Sequence, residues 1–316
     1  SAAGVAAIIS TFPSLHPGKI YMTLGVILLL TYGNLRGVKE AGKSFAMPTY
    51  LFVGAMGVVF ITGLYRVFTG NLPVLDTDLP GTVAVGQAQG LLTFSAIFIL
   101  LRAFANGGSS LTGLEAISDG VALFKVPEDV NARRTLVIMS TILGSLVLGV
   151  SWFAQHIHAM PYESGTPTVI SQIAKVVLGD SSSGKIFFVF VQAATMLILF
   201  AGANTTYSAF PILCNFVATD GYLPHKLSKR GHRLAFSNGI IFLAGAAMLL
   251  VLFTGASVDR LVAFYAIGVF TGFTLAGFGM AKYALVHRGP SWRVKFFING
   301  LSGSVSVIVV IIFAIV

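Results

Sequence analysis

The chain has 316 residues, 55% of them hydrophobic and 10% charged, with a mean hydropathy of +0.87 and a formal net charge of +9. A soluble domain is about a quarter charged; no water-solvated core could hide this much apolar surface, so lipid is the solvent for most of the chain. The single cysteine, Cys214, excludes an intramolecular disulfide and, near the end of an apolar run, reads as inert packing.

A helix needs about 20 apolar residues to cross the hydrocarbon core. In chain order, residues 1–9 read as the end of a helix. Then come 20–33, 46–66, 91–118, 136–157, 186–216, 237–255, 261–281 and 296–316, which make eight crossings of an all-α integral membrane protein. Segment 20–33 is short for a crossing, whereas 91–118 and 186–216 are longer than one requires. No cleavable signal peptide is readable. Ser1 and Val316 both fall inside apolar stretches, so one transmembrane domain, 1–316, is expected, incomplete at each end.

The connecting segments alternate in charge. Loop 34–45 holds Arg36, Lys39 and Lys43, and loop 119–135 holds Lys125, Arg133 and Arg134. Loop 217–236 holds Lys226, Lys229, Arg230 and Arg233, and loop 282–295 holds Lys282, Arg288, Arg293 and Lys295. These are 14 of the 20 Lys and Arg; the other set of loops holds only Lys19, Arg66, Lys175, Lys185 and Arg260. Ten of the acids divide equally between the two sets, so the net charge lies almost wholly on one side. By the positive-inside rule, the four basic loops are cytoplasmic. They are short and juxtamembrane, without the stacking aromatics that a nucleic-acid site needs, so no nucleic-acid partner is expected.

Segment 91–118, LLTFSAIFILLRAFANGGSSLTGLEAIS, begins as an apolar helix and then changes character. Asn106, Gly107, Gly108, Ser109 and Ser110 form a run in which the helical ladder opens easily, each glycine costing about 1 kcal/mol relative to alanine. An opened backbone at membrane depth is tolerated only inside protein or beside a wet cavity. Broken helices of this kind hold ions and substrates in secondary transporters. The same run also suits close packing against a neighbouring helix. Glu115 favours the site: a carboxylate in a span costs about 2.5–3.5 kcal/mol or more to insert and is by default a functional candidate. Thr112, three residues earlier, shares its helical face. Together they suit a monovalent cation or a proton. Alternatively, Glu115 lies near the cytoplasmic end, within reach of water.

Arg102 is the only other charge in a span. It would line a vestibule as a gating residue or neutralise an acid on another helix; thirteen residues of helix, about 20 Å, separate it from Glu115. The cluster Asn204, Thr205, Thr206 and Tyr207 reads as interhelical hydrogen bonding rather than a site. Tyr265 reads as an interfacial aromatic. His156 and His158 are assigned to an outer loop without a ligand-spaced partner. Phosphate-loop, HExxH and CxxC signals of enzymes are absent.

The stretches NLRGVKEAGKSFAMPTY at 34–50 and TDGYLPHKLSKRGHRLAFSNGI at 219–240 resemble amino acid–polyamine–organocation (APC) permeases. LRAFANGGSSLTGLEAISDGVALFKVPEDVNARRTL at 101–136, NTTYSAFP at 204–211 and FYAIGVFTGFTLAGFGM at 264–280 most resemble the Kim-type potassium importers, a KUP-related branch. The resemblance covers nearly the whole chain. It implies a LeuT-type inverted-repeat fold in which 1–9 ends helix 3, 91–118 is helix 6 and 296–316 is helix 11. That register agrees with the orientation read from loop charge.

In that branch the cation site draws on helices 1, 3, 6 and 10. By motif, its ligands fall on Thr112, Glu115 and Tyr265, and its last helix 3 hydroxyl on Ser1. The chain departs from the branch at Ala209, where Asp is usual, and at Ala276–Gly277, where Ser–Gln is common. The resemblance implies a plasma-membrane, multi-pass, bacterial symporter working by alternating access. Potassium and protons are the transported species, no cofactor is expected, and a homodimer is left open. The rivals are a proton-coupled amino acid permease of the same fold and a non-transporting membrane sensor subunit.

Overall fold

The computed structural model describes residues 1–36, 42–77, 79–83, 96, 99, 100, 103, 107, 124–227 and 237–315, with backbone alone at 42–45 and 315. Among them the helices are α1 (Ala2–Thr11), α2 (Lys19–Leu35), α3 (Gly42–Phe68), α4 (Glu128–His156), α5 (Val169–Leu178), α6 (Ser182–Thr219), α7 (Ser237–Thr254), α8 (Val258–His287) and α9 (Trp292–Ile315). Short 3-10 turns occupy Pro13–Gly18 and His225–Leu227. Six helices are long and apolar enough to cross a membrane, with spans in α3, α4 and α6 to α9. Helix α2, the expected crossing 20–33, has 17 residues and is about 25 Å long. The expected crossing 91–118 lies outside the described residues apart from helical backbone at 96, 99, 100, 103 and 107.

Several helices outrun the apolar runs that mark them. Helix α4 begins eight residues before 136, taking Arg133 and Arg134 into its first turns. Its other end corrects the assignment of His156 to a loop. The helix continues through His156, whose ring stacks on Trp152 at 3.8 Å between centroids and whose Nδ1 lies 2.9 Å from the Trp152 carbonyl. His158 follows it with φ 54°.

A second difference lies between α4 and α6, where the hydropathy pattern shows only a loop. Residues 169–178 form α5, too short to cross and apolar on one face: Ile173, Ala174 and Val177 are buried. Its start is a threonine cap, with Thr168 Oγ1 accepting from Ser171 N at 3.3 Å. Its end is Gly179 at φ +72°, a conformation glycine adopts without strain. A Cβ there would also stand 3.0 Å from Arg66 Nη2. Arg66 Nη1 donates to the Val176 carbonyl at 3.4 Å, tying the end of α3 to the end of α5.

The chain divides into two compact units, Ser1–Ala84 with Leu146–Val258, and Val85–Ser145 with Asp259–Val316. In the first, Met56 and Val59 of α3 pack with Phe153 of α4, Ile173 and Val177 of α5 and Val191 of α6. Helices α3 and α4 each seat an aromatic ring where the other has no side chain. A Cβ on Gly63 would collide with the Phe153 ring, and one on Gly149 with the Phe60 ring. The two rings stack at 5.5 Å. Gly4 of α1 likewise makes room for Phe200 of α6, and Gly239 of α7 lies against Pro211 of α6.

In the second unit, Ala266 and Phe270 of α8 pack with Val309 and Phe313 of α9. The two helices cross closely at Gly277, where a Cβ would stand 2.8 Å from Gly303 N and 3.0 Å from the Asn299 carbonyl oxygen. No flexible side chain is there to yield; the obstacle is backbone. Gly277→Val is therefore expected to lower the unfolding midpoint of the full-length protein, by an amount corresponding to about 1–3 kcal/mol. Gly279→Ala, which meets nothing within 4 Å, is expected to leave the midpoint unchanged or raise it, and thermal unfolding in detergent measures both.

Candidate functional site

Three sets of polar groups in or beside the helices bear on function. The first joins α2 to α6. Asn34 Nδ2 donates to the Leu30 carbonyl at 2.8 Å and to Asn204 Oδ1 at 2.6 Å. One turn away, Thr31 Oγ1 donates to the Ile27 carbonyl at 2.6 Å and lies 3.1 Å from the Tyr207 hydroxyl. That hydroxyl also reaches the Ile27 carbonyl at 3.3 Å, and Tyr207 is 6% exposed. Thr205 turns back onto the Gly202 carbonyl at 2.7 Å. Asn204 and Tyr207 thus form an interhelical hydrogen-bonded seam, as expected of the cluster, whereas Thr205 bonds within its own helix and Thr206 is exposed. Ile27, Ile240, Ala244 and Val251 bury around it.

The second set is a single residue that sequence reasoning passed over. Gln192 of α6 is 2% exposed, and neither its Oε1 nor its Nε2 has a hydrogen-bond partner among the described residues. Thr195, one turn on, satisfies its own hydroxyl at the Val191 carbonyl, 2.8 Å away. An unmade buried hydrogen bond costs about 1–3 kcal/mol, more than a made one returns. One glutamine in an apolar run gives no warning of this, because pairing is decided by neighbouring helices.

The third set is the expected ion site. Tyr265 stands on α8, early in its span, and is 46% exposed. Ser1 is the N-cap residue of α1, its carbonyl accepting from Val5 N at 3.1 Å. The two belong to different compact units. Thr112, Glu115, Arg102 and, of the opened run, Asn106, Gly108, Ser109 and Ser110 lie outside the described residues; Gly107 has helical backbone. Among the described residues, no group of three or more His, Cys, Asp or Glu could hold a metal.

The two departures from the branch pattern have distinct surroundings. Gly277 stands at the α8–α9 crossing, where the backbone of α9 occupies the space a glutamine would need. Ala209 is exposed on α6. Cys214 of the same helix is 4% exposed and buried as a small apolar group.

Long apolar helices with polar groups gathered at their contacts define a polytopic helical membrane protein. Residues 1–316 match the amino acid permease family throughout, and the chain belongs to that family, within the APC superfamily. It is 38% identical over 309 residues to the potassium transporter KimA of Bacillus subtilis (strain 168), an alignment covering 97% of this chain and 48% of that protein. The chain spans about half the length of the curated relative it matches.

Two variants probe the polar groups described. Tyr207→Phe removes the hydroxyl that joins α6 to α2 and is expected to destabilise the full-length protein by about 1 kcal/mol, within the range of interhelical hydrogen bonds in membranes. Gln192→Leu is expected to raise the unfolding midpoint, since it replaces, at similar shape, an amide that has no partner among the described residues. A fall in the midpoint would instead mean that a residue outside the described ones, a buried water or an ion completes the bonding of Gln192.

Proposed function

We propose that the full-length protein is a secondary active transporter that takes up potassium together with protons by alternating access. The observation that carries this reading is the 38% identity to a potassium transporter over 97% of the chain. Membership of a permease family and the helical, lipid-facing architecture support the transport part. The basic loops 34–45, 119–135, 217–236 and 282–295 support a cytoplasmic assignment for that face, in a bacterial plasma membrane.

In this reading Glu115 is the central group, as cation ligand or proton acceptor. Its carboxylate supplies the charge that a dehydrated potassium ion needs, and an intramembrane acid tolerates burial best while it holds a cation or a proton. Those alternative occupancies are what a symporter must couple. Thr112, Tyr265 and Ser1 supply neutral oxygens, and the run Asn106–Ser110 supplies backbone carbonyls from an opened helix. Arg102 lines the approach as a gating cation. Transported potassium and protons need no resident cofactor.

A second reading, a proton-coupled amino acid permease, is favoured by the family description and by Ala209 and Ala276–Gly277, where the chain departs from the potassium branch. The opened run would then bind the amine or carboxylate of an amino acid. Uptake by the full-length protein in a potassium-auxotrophic host separates the two. Growth at low potassium is expected, with uptake falling about tenfold or more in Glu115→Gln as a charged ligand is lost. Absent growth rescue combined with proton-coupled uptake of a labelled amino acid would transfer the assignment to the permease reading.

A further inference from the structure

Two irregular segments of the first compact unit, 71–83 and 157–168, are tied together by backbone bonds. Leu75 N donates to the Ile157 carbonyl at 2.9 Å, Val83 N to Pro161 at 2.8 Å and Glu163 N to Gly81 at 3.0 Å. Side chains also hold this wall. The Lys19 ammonium, on a residue only 8% exposed, donates to the Ser164 carbonyl at 3.1 Å, and Thr168 N donates to Ser10 Oγ at 3.1 Å. Beside the wall is a cavity of about 590 Å3. Its size suits a small molecule, since such sites span about 300–1,000 Å3.

One part of the lining is apolar: Ile9, Pro13, Leu75, Leu79, Pro167 and Val176. The polar part separates into groups the fold already uses and groups it does not. Gln172 is fully engaged, donating to the Met160 and Pro167 carbonyls at 2.8 and 3.1 Å and accepting from Met160 N at 3.2 Å. Ser10 and Ser164 hydroxyls donate to the Ala6 and Thr166 carbonyls. By contrast, the Tyr162 and Ser171 hydroxyls, the His16 ring and the Lys175 ammonium have no side-chain partner among the described residues, yet all line the cavity. Ser171 and Lys175 are four apart on α5, so one helical face presents both.

This unused set is rich in donors and includes a full positive charge. Among the described lining residues there is no carboxylate. The acids next to lining positions in sequence are Asp76, which has a partner of its own, Asp78, which lies outside the described residues, and Glu163, which is exposed between two lining positions. A cation would meet the Lys175 ammonium. A wholly apolar ligand would leave the Ser171 and Tyr162 hydroxyls unpaired beside it. An anionic head on an apolar body satisfies both parts of the lining.

We propose that this cavity, on the face that loop charge assigns to the outside, binds an amphiphilic anion. Lys175, Ser171 and Tyr162 hold a carboxylate or phosphate head, and Ile9, Leu75 and Leu79 receive the apolar body. The site lies apart from Glu115 in sequence and does not depend on which species is transported.

The test uses full-length protein in phosphatidylcholine nanodiscs, with octanoate as probe and saturation-transfer NMR and calorimetry as readouts. Octanoate is expected to bind saturably, Lys175→Gln to weaken it about tenfold through loss of one charge-assisted hydrogen bond, and Glu163→Gln to tighten it. Lys175 is exposed, so its variant is expected to keep the parent's unfolding midpoint. Octanoate binding indifferent to Lys175→Gln, or matched by 1-octanol, overturns the proposal. Inorganic phosphate binding as tightly as octanoate overturns the amphiphile assignment. Nanodiscs of phosphatidylglycerol identify the source. Lost octanoate binding there places an anionic lipid headgroup in the cavity, and unchanged binding means a soluble anion; both outcomes uphold an amphiphilic anion.

Discussion

Helices surrounded by hydrocarbon gain little by hiding apolar side chains from it, because lipid tails are as apolar as leucine. What holds them together is close approach and hydrogen bonding. This constraint explains five of the helix glycines. Gly63 and Gly149 each admit a ring from the opposite helix, Gly4 admits Phe200, Gly239 admits Pro211, and Gly277 meets the backbone of α9. It also explains the many large apolar side chains left outside. Phe253 is 79% exposed and Leu29 68%, a liability in water and the expected state in lipid.

The polar seam between α2 and α6 follows from the same constraint. Asn34 and Asn204, with Thr31 and Tyr207, find partners in one another or in backbone carbonyls. Their chemistry is spent on fixing two helices, which leaves little for a substrate. Gln192 is the opposite case, an amide buried without a partner among the described residues. On the proposed reading Glu115, which lies outside the described residues, is a group of the expensive kind as well, and its charge makes the cost larger. A transported cation or proton would offset that cost, which is the physical link between the expected place of Glu115 in a span and the proposed transport role.

Outside the spans the problem changes. Segments 71–83 and 157–168 lack a regular ladder, so side chains supply the missing partners. Lys19, Ser10 and Gln172 hold backbone groups of this wall in place. A cavity borders this wall, lined in part by polar groups that have no side-chain partner among the described residues. Arg66 and Gly179 set the end of α5 in the same manner.

The amino-acid sequence by itself determined the helical membrane class, the places of six crossings and the family. Hydropathy reports the solvent of each segment directly, and in lipid a spanning backbone has essentially one regular form available to a single chain segment, the helix. The motifs at 34–50, 101–136 and 219–240 carried the rest. Helix ends were less legible: Arg133, Arg134 and His156 are polar, yet α4 runs through them, because a helix does not stop where the hydrocarbon does. Helix α5 was missed because ten residues are too few to register as a span, although the Thr168 cap and the Gly179 stop were both readable. Only the tertiary structure decided which polar residues are paired. Asn204 and Gln192 look equivalent in an apolar run; one meets Asn34 across a helix contact and the other meets no partner among the described residues. Pairing is a property of two surfaces brought together, and one strand of sequence describes only one of them.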